Sequence, residues 1–174
     1  MKNLIALLTI LFCALVFTQS FAQDGLDPEL TTDVRNTPVK KDGVHLLNVD
    51  ENGVILKGYD VVAFHTVKKP IKGSAEFQSE YQGAIYYFSS EDNKKTFDAN
   101  PDKYIPQFGG FCAVAVALNK LSPIQIWTHS IVDGRLVFNH NKRALALWNK
   151  NPKGNLKKAD KNWPEVSKKT DYSN

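Results

Sequence analysis

Three turn signals govern what this chain can build. Asp50-Glu51-Asn52-Gly53, Gln82-Gly83 and Asp133-Gly134 each lie between short apolar or aromatic runs. Asn-Gly and Asp-Gly pairs supply the positive-φ turns whose twist matches that of paired strands. The runs they join are residues 44–49 with 54–63, 76–81 with 84–88, and 124–132 with 135–139. Short helix signals fall between and after these hairpins. Ser89 and Ser90 offer an N-cap to a helix reaching about Ala99, which Asn100-Pro101 ends. Asn141 caps a helix over 142–150 closed by Pro152, and a second short helix over 155–163 ends at Pro164. Residues 111–118 are wholly apolar and alternate small with larger side chains, which reads as a buried strand. The fold class is therefore α+β: a small antiparallel, hairpin-built sheet with short helices packed on it.

Residues 1–22 carry Lys2 as their sole charge, an apolar run over 4–17 and the small-residue ending Ser20-Phe21-Ala22. A positive start, an apolar centre and a small-residue end make a secretory signal peptide. As a helix the run spans about 21 Å, short of the roughly 30 Å hydrocarbon core. The expected product is periplasmic or secreted, with no stable membrane span after cleavage. Residues 23–43 read as a polar leader, 44–166 as a single domain and 167–174 as a flexible basic tail. From Lys142 onward the chain carries nine Lys or Arg against three acids, yet the whole sequence is only +4. That balance argues against nucleic acid and leaves a peripheral envelope partner open.

Of two cysteines, Cys13 leaves with the signal segment, so Cys112 stands alone and no internal disulfide can form. A lone thiol in an oxidising compartment is buried, paired between chains, metal-bound or reactive. Phosphate-binding Gly-rich loops, His-Glu-x-x-His and Gly-x-Ser-x-Gly are all missing. The sequence thus points to a binding protein and not to an enzyme. Extending the third hairpin's register puts Trp127, His129 and Ile131 on one face with Leu136, Phe138 and His140. Diagonal neighbours of that kind lie about 7–8 Å apart, within reach of a shared ion. His129 and His140 would be borderline ligands, with Cys112 a soft third.

Tyr86-Tyr87-Phe88-Ser89-Ser90-Glu91, followed by Phe97, Ala99-Asn100-Pro101 and Tyr104, resembles the YHS domain. Gly58-Tyr59-Asp60-Val61-Val62-Ala63-Phe64 is similar to its opening segment. Pro106-Gln107-Phe108-Gly109-Gly110-Phe111-Cys112-Ala113 resembles the Gly-Gly-Tyr-Cys-Ala signature of a secreted, cysteine-poor branch. The resemblance implies a small α+β module associated with metal binding. The cysteines of the thiolate-rich branch would fall at Ala63, Ser89 and Asn93, so that cage does not carry over. If residues 59–65 are extended, His65 shares a face with Ala63 and becomes a fourth candidate ligand.

The leading expectation is an extracytoplasmic protein that binds a metal ion or small ligand, copper or zinc, through Cys112, His129, His140 and His65, without catalysis. Two other readings stay open. One is an envelope interaction module using Trp127, Trp163 and the basic C-terminal region. The other is a thiol-redox protein using Cys112.

Overall fold

A computed structural model describes residues 27–36, 39–41, 45–169 and 172, so the expected signal peptide lies outside the described residues. The chain begins with a one-turn helix α1 (Pro28–Thr31), then a two-stranded ladder of β1 (Val39–Lys41) and β2 (His45–Leu47). Helix α2 (Val61–Thr66) precedes a hairpin of β3 (Ser74–Tyr81) and β4 (Ala84–Phe88). Helix α3 (Glu91–Ala99) and helix α4 (Ala113–Ala117) follow. Next come a third ladder of β5 (Ser130–Val132) and β6 (Arg135–Val137), and helices α5 (Lys142–Asn149) and α6 (Pro152–Val166). Short helices and two-stranded antiparallel sheets make this an α+β protein. One apolar cluster runs from Val34 to Val166 and takes side chains from nearly every element.

Several local signals give the expected element, but across Asn52-Gly53 only the single bridge Val49–Ile55 forms, and Pro164, expected to end a helix over 155–163, lies inside α6, which starts at Pro152. The β3–β4 register pairs Tyr81 with Ala84 across Gln82-Gly83, whose φ angles are 49° and 79°. Ser90 caps α3 by accepting from the Asn93 amide at 3.2 Å, and Asn100-Pro101 ends it. That cap aims Phe97 into the core, where its ring lies 4.7 Å from Tyr86 and 5.0 Å from Phe88.

Two apolar runs fold differently from expectation. The run expected as extended, 54–63 and on to His65, instead holds helix α2 over 61–66, because the Asp60 carboxylate accepts from the amides of Val62 (2.9 Å) and Ala63 (3.2 Å). His65 therefore does not stand on a strand face beside Ala63. Residues 113–117, anticipated as a strand, are helix α4 packed on α6. Its alanines let the two backbones approach, and Asn162 of α6 donates at 3.1 Å to the carbonyls of both Val116 and Ala117. In both cases every apolar side chain is buried, so no alternation separates strand from helix.

The third hairpin keeps its register but is shorter than expected. Val132 pairs with Arg135, and Ser130 with Val137, where the ladder stops. Upstream, Ile126–Thr128 forms a tight helical turn, so Trp127 and His129 do not oppose His140 and Phe138. The face assignment reverses in part: Thr128 and Asn139 are fully buried, whereas Ile131 is exposed. Thr128 Oγ1 donates to the Asn139 carbonyl and accepts from the Asn139 amide at 2.8 Å, which satisfies both groups inside the core.

The segment expected as a leader contributes Val34, 1% exposed, whose amide donates to the Ile124 carbonyl at 2.7 Å. Among the described residues no helix is long and apolar enough to cross a membrane.

Candidate functional site

Cys112 immediately precedes α4 and lies beside Phe138 through a single parallel bridge. Its side chain is 1% exposed, with Sγ 3.9 Å from Asn139 Oδ1. Burial pushes the thiol pKa up to about 11. The backbone amides of Ala115, His140 and Val114 pull the other way without offsetting it. The setting disfavours a thiolate unless a cation replaces the proton. Cys112 is therefore expected to resist iodoacetamide at neutral pH in the folded protein and to label once urea unfolds it. Rapid labelling of the native protein would contradict this burial.

His140 lines the same pocket, a cavity of about 230 Å³ that also includes Ser122 and Arg143. Its Nε2 lies 3.0 Å from Asp33 Oδ2, and its Nδ1 lies 3.4 Å from Ser122 Oγ. A carboxylate can only accept, so Nε2 carries the proton toward Asp33. In the neutral ring, Nδ1 then keeps the lone pair. Gln125 steadies Asp33 by donating to its other oxygen at 3.0 Å.

The other two imidazoles are elsewhere. His129 packs 4.8 Å from the Phe64 ring, its Nε2 3.4 Å from the Lys68 carbonyl, and lines a separate pocket with Ser130 and Ile131. His65 meets Tyr104 edge-on at 5.2 Å. Each has one buried ring nitrogen without a hydrogen-bond partner among the described residues, and burial lowers both pKa values. The expected His129–His140 pair fails for a geometric reason. It needed the β5–β6 ladder to continue past Ser130, and the turn at Ile126–Thr128 breaks it. Among the described residues no three His, Cys, Asp or Glu side chains cluster as a metal cage.

A second constellation surrounds Asp60, which is fully buried. Beyond capping α2, its Oδ2 accepts from the Ser89 amide (2.8 Å), Ser89 Oγ (2.7 Å) and Asn93 Nδ2 (2.6 Å). Ala63, Ser89 and Asn93 thus converge on one carboxylate. These are the positions onto which the thiolate pattern was laid, and here they form a hydrogen-bond network that ties α2, β4 and α3 together.

Residues 62–108 match the family model of the YHS domain. The chain carries a YHS domain. Searches of curated proteins and of solved structures returned no match. The YHS match opens inside α2 and closes at Phe108, so it takes in His65 and two residues that meet at Asp60, Ser89 just after β4 and Asn93 of α3. Cys112, His129 and His140 lie beyond it. Sequence reasoning missed Asp33 and Ser122, which reach His140 only through tertiary folding. The Asp60 cap was readable: an acid directly before an apolar run is a helix-start signal.

Proposed function

We propose that this YHS-domain protein is an extracytoplasmic, non-catalytic binding protein that holds a soft metal ion, Cu(I), between Cys112 and His140. One observation carries the reading: of the four candidate ligands, these two line a single pocket, and Asp33 orients the imidazole so that Nδ1 keeps its lone pair. A carboxylate behind a ligating histidine is the usual second layer of a metal site. Two donors do not make the four-ligand set of a structural zinc site. They do suit monovalent copper, which accepts low coordination and favours thiolate. The extracytoplasmic part of the proposal rests on residues 1–22. A freely reactive redox thiol is less compatible with the burial that raises the Cys112 pKa.

The test is a Cu(I) titration of the purified protein against a competing chelator. One equivalent should bind. Cys112→Ser and His140→Ala should lose it, while His129→Ala and His65→Ala retain it. Asp33→Ala should weaken binding by about tenfold to a hundredfold, as expected for a second-layer partner. Because the Cys112 proton must leave below its pKa of about 11, apparent affinity should rise as pH rises from 6 to 9, by roughly tenfold per unit. Binding that survives Cys112→Ser would overturn the proposal.

A further inference from the structure

A second pocket, of about 200 Å³, lies between β2, the loop over 105–109 and the end of α6. It shares no lining residue with the Cys112–His140 pocket. Three aromatic side chains face it: Tyr86, Phe108 and Trp163. Tyr86 is 3% exposed; among the described residues its hydroxyl makes no hydrogen bond, and it is not one of the fully enclosed polar atoms left without a partner. The hydroxyl is therefore open to pair with the polar group of a molecule that enters the pocket. Burial also drives the Tyr86 pKa far upward, so the group stays a neutral phenol able to donate or accept.

The pocket wall is rigidly built. Phe108 has φ of 56°, in the left-handed region where a bulky side chain is strained, and such strain persists only where the surroundings enforce it. Its ring meets Trp163 edge-on at 5.7 Å, and the Arg135 guanidinium sits 5.8 Å from its centre. Arg135 is itself fixed by Asp160 at 2.7 and 2.9 Å and by Gln107 at 2.6 and 2.9 Å. No ionisable side chain other than Tyr86 lines the cavity, so an ionic guest would be desolvated without a counter-charge. Pockets for drug-sized ligands run to about 300–1,000 Å³, so this one limits a guest to one or two rings.

We propose that this pocket binds a small neutral aromatic molecule, of the phenol or indole class, whose ring lies among Tyr86, Phe108 and Trp163 and whose polar group hydrogen-bonds the Tyr86 hydroxyl. The site goes beyond the metal reading and does not depend on it.

The experiment titrates phenol, toluene and benzoate into the purified protein, following the Trp163 indole N–H resonance by NMR. Phenol should bind saturably, and benzoate at least about tenfold more weakly because its charge is unpaired in the pocket. Tyr86→Phe should weaken phenol by about three- to tenfold, the usual worth of one neutral hydrogen bond. Toluene binding should be unchanged in that variant, which also reports that the pocket is intact. Trp163→Ala should weaken phenol and toluene alike. Cys112→Ser should bind phenol as the parent does, which separates this site from the metal proposal. No saturable phenol binding, benzoate binding as tightly as phenol, or a Tyr86→Phe variant indistinguishable toward phenol would each overturn the inference.

Discussion

Gly109→Ala is expected to unfold the protein or to lower its stability by about 4 kcal/mol or more, in the exceptional range for a point substitution. Gly109 has φ of +59°, and a Cβ placed there would lie 1.9 Å from the Leu46 backbone carbonyl oxygen. No side-chain rotation relieves that clash, because the opposing atom belongs to β2. The loop cannot retreat cheaply either. The Gly109 carbonyl accepts from the Asn48 amide at 2.9 Å, and buried Asn48 donates to the carbonyls of Val34 (3.0 Å) and Gly110 (3.2 Å). Gly134 provides the control, since it also has positive φ (+77°) but nothing lies within 4 Å of an added Cβ. Gly134→Ala should therefore cost only the backbone strain, about 1–2 kcal/mol. Urea denaturation of the two variants separates the contributions. Equal midpoints would mean that the close approach of Gly109 to β2 is wrong.

Asp60→Asn is expected to be nearly as damaging, at about 3–5 kcal/mol, because at least two buried donors each lose a hydrogen bond to the carboxylate worth about 1.5–3 kcal/mol. The carboxylate accepts from two amides on Oδ1 and from three donors on Oδ2. An asparagine has the same shape, but in either orientation its NH₂ faces donors. At least two buried groups then lose their acceptor. Ser89→Ala and Asn93→Ala each remove a single hydrogen bond to the charge and should cost less, about 1.5–3 kcal/mol each. Chemical denaturation of the three variants gives the ranking. An Asp60→Asn variant no less stable than Ser89→Ala would refute the central role of the carboxylate.

Local chemistry was legible in the sequence where a turn or cap acts within a few residues. Gln82-Gly83 and Asp133-Gly134 set the registers of their hairpins, and Ser90 with Pro101 delimits α3. Helices α2 and α4 were not legible by periodicity, because Val61 to Phe64 and Ala113 to Ala117 are buried on all sides. What selects the helix in α4 is partly Asn162, 45 and 46 residues away from the carbonyls it holds. The candidate site shows the same division. Cys112 and His140 could be named from residue type and position, but Asp33, 107 residues from His140, had no sequence signal. The His129 assignment assumed that a short ladder continues. Buried Thr128, which satisfies the Asn139 backbone from a helical turn, stops it.

X-ray absorption at the copper edge of the Cu(I)-loaded protein tests the central claim most directly. Ligation by Cys112 and His140 predicts one sulfur and one imidazole nitrogen around the metal, with the sulfur contribution lost in Cys112→Ser. A copper shell without sulfur, or one unchanged by His140→Ala, would contradict it.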